Sequence, residues 1–192
     1  LLEELINYGS FLGADFIEIF LECTDNISVL AEEDCITNVS PSFGKGAGIR
    51  IFKDFRDGFV STNDLSKNGL RQAISQAVEM LDIDNQSSNK SFEGFESIRD
   101  YSKEKINWLK IVPSINEISD KLLLSTKSLK RDQKVQVRKG SYARNWQKVI
   151  IAASDGTFAK DIRLHQTVGL NVITEDKTYR SSGSRRLGSS DS

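Results

Sequence analysis

Histidine occurs once, at His165, and cysteine twice, at Cys23 and Cys35. Three such residues cannot assemble a His-rich metal site. A single histidine also leaves few ways to build a nucleophile–base pair. Two cysteines without a repeating spacing make no disulfide framework. They permit one bridge, Cys23–Cys35 on neighbouring strands, but suit a reducing cytoplasm better. No apolar run approaches the roughly 18–20 residues of a membrane span. No charged segment followed by an apolar one opens the chain, so no signal peptide is legible. Charge of one sign is missing too. The 26 Lys and Arg stand against 27 Asp and Glu, a net charge of −1. That gives no electrostatic footprint for nucleic acid.

What remains is a chain of 192 residues, 38% hydrophobic and 28% charged, a globular balance with enough length for a real core. Leu1 to Leu12 reads as a short helix that Gly13 stops. Asp15 to Thr24 alternates with period two, placing Ile17, Ile19, Leu21 and Cys23 on one face. Ile27 to Ala31 and Cys35 to Val39 read as further short strands. Gly48 to Phe52 and Phe59 to Ser61 predict a hairpin, with Asp57-Gly58 as the pair that tolerates positive φ. The clearest helix follows Ser66: Leu70, Ala73, Ile74, Ala77, Val78 and Leu81 fit the helical template throughout, and Asp64 or Ser66 can cap it.

The composition turns polar from Asp82. We read 82–103 as a linker, with Phe92 and Phe95 pinning its far end. A helical stretch from about Lys103 to Leu129 is split by Pro113, with Ile115, Ile118, Leu122 and Leu129 as its apolar stripe. Two strands follow, over 133–142 and 145–153, then a turn at Asp155-Gly156 and a long alternating stretch over 158–175. That stretch is long enough to predict a bend or bulge near Gly169. The division predicted is a first α+β subdomain at 1–81, a linker at 82–103, a second α+β subdomain at 104–180, and a flexible Ser/Gly/Arg tail at 181–192. The fold class is α+β, antiparallel sheets with a few packed helices.

Few residues carry chemistry by themselves. Gly44-Lys45-Gly46-Ala47-Gly48 resembles a phosphate loop, but it leads into a strand, where a helix N-terminus would be needed to face the phosphate; we read a backbone bend or bulge. His165 sits on the polar side of a strand without an identifiable nucleophile or orienting carboxylate. Glu18 and Glu22, and Glu32 and Glu33, read as a solvated sheet face and a charged turn. Trp108 and Trp146 read as packing anchors, since no basic stripe accompanies them. In the tail, Arg180, Ser181, Ser182, Gly183 and Arg185 are the candidates for peptide or interface contact.

Four stretches in order resemble the TldD/PmbA family. They are Gly13-Ala14-Asp15-Phe16-Ile17-Glu18-Ile19-Phe20; then Gly46-Ala47-Gly48-Ile49-Arg50-Ile51 with 57–66 after it; then Ala153-Ser154-Asp155-Gly156-Thr157 with Arg163 and the strand over 168–175; and last the Ser/Gly/Arg segment after Arg180. The first strand and the tail look closer to the TldD branch than to PmbA. The resemblance implies a peptide-processing zinc metalloprotease of the cytoplasm, of a family long described as modulators of DNA gyrase. It implies an unfolded peptide substrate, a PmbA-like partner subunit, and a homo- or hetero-oligomer, with no nucleic acid and no membrane. The family's zinc motif, His-Glu-x-x-x-His with a distant Cys, is not in this sequence, so no catalytic or metal residue is carried over and no cofactor is assigned to these residues. Zinc and the catalytic domain are expected beyond Ser192.

The resemblance therefore predicts the non-catalytic front of a TldD-like protease, shaping a substrate enclosure and a subunit interface. The competing reading is a stand-alone α+β binding or scaffold module. Gyrase binding draws no support from the composition.

Overall fold

The computed structural model describes residues 1–81, 92–102 and 113–191, with side chains given up to 189. Its helices are α1 (Leu2–Phe11), α2 (Lys67–Glu79) and α3 (Ile115–Ser128). Its strands are β1 (Phe16–Glu32), β2 (Cys35–Lys53), β3 (Arg56–Thr62), β4 (Ser97–Asp100), β5 (Val135–Ala153), β6 (Thr157–Asp176) and β7 (Tyr179–Asp191). The fold is α+β, as predicted.

The strands are longer than the short ones read from the sequence. The stretches over 15–24 and 27–31 are one strand, on which Ile17, Ile19, Ile27, Val29 and Ala31 are buried, with half-buried Leu21 and Cys23 and exposed Asp25 between them. The glycine-rich stretch over 44–48 lies inside β2. From Ala47 onward its pairing with β3 keeps one register, so the predicted bulge is absent from that pairing. The β2–β3 hairpin turns at Asp54 and Phe55, both at positive φ, and Lys53 pairs with Arg56. Two residues of positive φ in a two-residue loop are the hairpin turn that matches strand twist. The predicted pair, Asp57-Gly58, is instead within β3, where Gly58 lets the backbone of α2 approach: an added Cβ would meet the Ala77 carbonyl oxygen at 2.7 Å. The turn at Asp155-Gly156 forms as read, with Gly156 at φ 89°.

The chain forms two compact units, and they are not sequential. The first comprises Leu1–Cys23, Gly44–Lys105 and Lys148–Ile162; the second comprises Thr24–Phe43, Ile106–Gln147 and Arg163–Ser192. The predicted division at 82–103 therefore differs from the contacts, because β1, β2, β5 and β6 each contribute residues to both units.

In the first unit the strand segments run in the order β3-β2-β1-β5-β6-β4. Pairing is antiparallel for β2–β3 and parallel for β4–β6. Helices α1 and α2 bury Leu5, Ile6, Leu70, Ala73, Ile74, Ala77 and Val78 against Ile17, Ile19, Ile49 and Ile51. Ser66 caps α2, accepting from the Gly69 N–H at 3.1 Å, and its own N–H donates to Asp64 Oδ1 at 2.9 Å. Part of the predicted linker belongs to this unit. Phe92 and Phe95 stack edge-on at 5.1 Å and pack on the core with Phe158, and β4 pairs with β6. The rest of that linker, 82–91 and 103, lies outside the described residues, as does the predicted helix over 103–112 with Trp108.

In the second unit the order is β2-β1-β5-β6-β7. Helix α3 begins at a capping box: Ser114 accepts from the Glu117 N–H, and Glu117 accepts from the Ser114 N–H at 2.7 Å. Its Ile118 and Leu122 pack on Ile27, Val29, Ala31 and Tyr142. The predicted stripe is corrected at Ile115, which is exposed, and the buried Thr126 takes the third position.

The segment over 181–192, predicted as a flexible tail, is the strand β7 through Asp191. It pairs antiparallel with β6 from Asp176↔Tyr179 to Leu164↔Asp191, after a two-residue loop at Lys177 and Thr178. A ladder is held by backbone hydrogen bonds, which a Ser/Gly/Arg sequence supplies without any apolar pattern. The same ladder runs through Gly169 without a register shift, so the predicted bulge is absent from this pairing.

Candidate functional site

The second unit contains a cleft of about 590 Å³ on its sheet, within the usual range for ligand sites. Alternation along β5 sets the face. Arg138, Gly140 and Tyr142 point toward α3, as an added Cβ on Gly140 would meet Leu122 Cδ1 at 2.8 Å. Lys139 and Ser141 then point to the opposite face. There, β6 places Gly169 beside Ser141, and β7 places Arg186 opposite Gly169.

Gly169 lets Ser141 close in. A Cβ added to it would lie 2.7 Å from Ser141 Oγ and 3.8 Å from Arg186 Nε. With only hydrogen at that position, the Ser141 hydroxyl reaches over Gly169 and donates to its carbonyl at 3.5 Å, with the Arg186 guanidinium beside it. Thr37, Asn171 and Ser184 add polar groups to the wall and Leu30 an apolar one, while Leu170 and Arg185, paired across the ladder, alternate to the other face. Lys139 Nζ is held by Glu32 at 3.3 Å. The Arg186 side chain has no ion-pair or hydrogen-bond partner among the described residues. The charged side chains on this face are thus Lys139 and Arg186 against Glu32, in a chain whose net charge is −1.

Of the five tail residues read from the sequence, Arg185 lines this cleft. Arg180, Ser181, Ser182 and Gly183 lie further along β7, paired with Glu175, Thr174, Ile173 and Val172. Ser184 and Arg186 line the cleft but were not singled out, and neither were Lys139, Ser141 and Asn171. The signal for Gly169 was present: a glycine inside an alternating strand marks a bulge or a close approach, and here it is the close approach.

The other candidates do not converge. His165 is exposed on β6, paired with Ser190 across the ladder. Glu32 and Glu33 are taken up by Lys139 and Arg138. Glu18 lies in a shallow hollow with Phe20, Arg50, Asp57 and Phe59. Trp146 is half-buried, its indole N–H without a hydrogen-bond partner. Cys23 is half-buried and Cys35 exposed, and neither is bonded. Among the described residues no group of three or more His, Cys, Asp or Glu side chains could hold a metal. The donor set does not fit zinc. No described helix is long and apolar enough to cross a membrane.

Two family models match the chain in order. PmbA/TldA metallopeptidase domain 1 matches residues 17–81, and the PmbA/TldA metallopeptidase central domain matches residues 99–192. The chain belongs to the TldD/PmbA family. Among curated relatives, Metalloprotease MJ0996 of Methanocaldococcus jannaschii is 23% identical over 193 residues, covering 97% of this chain and 41% of that protein. The Metalloprotease TldD homolog of Haemophilus influenzae is 23% identical over 177 residues, covering 91% of this chain and 36% of that protein. The chain thus spans about two fifths of the length of these relatives. The crystal structure of TldE from Thermococcus kodakarensis has the same fold, with a TM-score of 0.76 at 20% identity, over 97% of this chain and 42% of that one.

Proposed function

We propose that these residues form the non-catalytic front of a peptide-processing zinc metalloprotease of the TldD branch, shaping its substrate enclosure and its subunit interface. The ordered match to the family's first and central metallopeptidase domains carries this reading. Zinc and the residues that hold it then come from another part of the protein, and the proteolysis is a property of the whole. What this chain offers is strand. Among the described residues β7 pairs only with β6, so one edge of β7 is free, and extended peptides bind by adding to such an edge.

The test is to incubate the 192-residue chain with zinc and an unstructured peptide, with and without a chelator. No cleavage is expected under either condition. Chelator-sensitive cleavage by the chain alone would overturn the reading.

A further inference from the structure

We propose that the cleft over Gly169 is a carboxylate-binding subsite that takes the acidic side chain of an extended peptide. Four observations carry it. The cleft wall carries a guanidinium and a hydroxyl side by side, Arg186 and Ser141, the hydroxyl engaged only by a long 3.5 Å bond to the Gly169 carbonyl, and a carboxylate has the oxygens to accept from both. The Arg186 guanidinium spends its charge on no described side chain, whereas Lys139 is held by Glu32. The resulting excess of one cation is local, against a chain that is slightly acidic as a whole. And the absence of a side chain at Gly169 lets the Ser141 hydroxyl sit beside the Arg186 guanidinium: any larger residue there would displace it.

A carboxylate fits better than a nucleic acid. No aromatic ring lines the cleft, so a base would have no stacking surface. The acidic group sits against Arg186, accepting from its guanidinium and from the Ser141 hydroxyl, while Leu30 contacts the methylene stem. That the carboxylate arrives on a peptide rests on the peptide-processing reading above; the anion site itself does not.

The experiment uses the 192-residue chain and a fluorescent, amidated decapeptide of Gly, Ser and two Glu, against the same peptide with Gln at both positions. Binding is followed by anisotropy at low salt. The Glu peptide is expected to bind about tenfold more tightly, the scale of one charge-assisted contact. Arg186→Ala and, independently, Ser141→Ala should shrink that difference, and Gly169→Val should abolish it. Arg56→Ala, which removes an exposed charge in the first unit, should leave it intact. Equal binding of the two peptides would overturn the proposal. So would an equal loss in Arg56→Ala, which would mean general electrostatics. Tighter binding of a single-stranded oligonucleotide than of the Glu peptide would overturn the carboxylate assignment. If neither peptide binds but succinate raises the melting temperature of the parent and not of Arg186→Ala, the anion site stands and the peptide reading falls.

Discussion

Glu33 and Arg138 are joined four times. The Glu33 N–H donates to the Arg138 carbonyl at 2.9 Å, and the Arg138 N–H returns to Glu33 Oε1 at 2.9 Å. The guanidinium then donates to Oε2 from Nε at 2.9 Å and from Nη2 at 2.5 Å. Only 5% of the Arg138 side chain is exposed, and it also reaches the Thr126 carbonyl at the end of α3 at 3.5 Å. The turn between β1 and β2 is thereby tied to β5 and to α3.

These bonds hold the Glu33 carboxyl below its ordinary value of 4.5, the backbone N–H of Arg138 contributing most and its guanidinium next. A carboxyl with a lowered folded value stabilises the fold above its unfolded value. That stabilisation is lost as pH falls through the folded one. Stability should therefore fall on acidification below about pH 4.5. Glu33→Gln should be less stable than the parent at pH 7 and should lose less between pH 7 and pH 3. Urea melts at the two pH values check this. An unchanged pH dependence in Glu33→Gln would remove this residue from the account.

Gly140 sits under α3 with Leu122 Cδ1 and Thr126 Cγ2 at 2.8 and 2.9 Å from where a Cβ would stand. Leu122 and Thr126 are both buried and have little room to yield. Gly140→Ala should destabilise by about 1–3 kcal/mol, the usual cost of overpacking, read from denaturant midpoints at constant slope. A neutral result would show that α3 can shift away from β5.

Leu122→Ala should by itself cost about 2–5 kcal/mol, as for a buried leucine truncated to alanine. Combined with Gly140→Ala, the two changes should cost less than their separate costs together, because the truncation vacates the space that the added methyl needs. Strict additivity of the four melts in that cycle would contradict the contact.

The sequence made some of this legible, in proportion to how local the cause is. The helix after Ser66 was readable because its apolar period and its cap lie within fifteen residues. The inward-facing Ile17, Ile19, Ile27, Val29 and Ala31 were readable as well, though not that they lie on one strand. On β5 the apolar pattern does not mark the inward face. Val135 and Val137 are only half-buried, and the buried residues are Arg138, Gly140 and Tyr142. An arginine goes inside only because Glu33, more than a hundred residues earlier, is there to receive it. The same holds for Gly169 and Arg186: their neighbourhood depends on pairings between distant strands. β7 has no apolar alternation at all, so composition pointed to a tail where the backbone forms a ladder.

The cap of α2 gives the remaining prediction. The Ser66 hydroxyl accepts from the Gly69 N–H at 3.1 Å and so satisfies one of the donors that the first turn leaves open. Alanine at this position removes that acceptor and should destabilise by about 1 kcal/mol, a fall of roughly 2–4 °C in melting temperature for a chain of this size. Aspartate can accept the same bond and also faces the positive end of the helix, so Ser66→Asp should recover most of the loss. The carboxylate of Asp64 limits the gain. It already accepts from the Ser66 N–H at 2.9 Å, and a second negative charge two residues away opposes it. The ranking expected is parent at or above Ser66→Asp, and Ser66→Ala lowest. If raising the salt concentration lifts Ser66→Asp toward the parent while leaving Ser66→Ala in place, the remaining gap is repulsion from Asp64 and not loss of the cap.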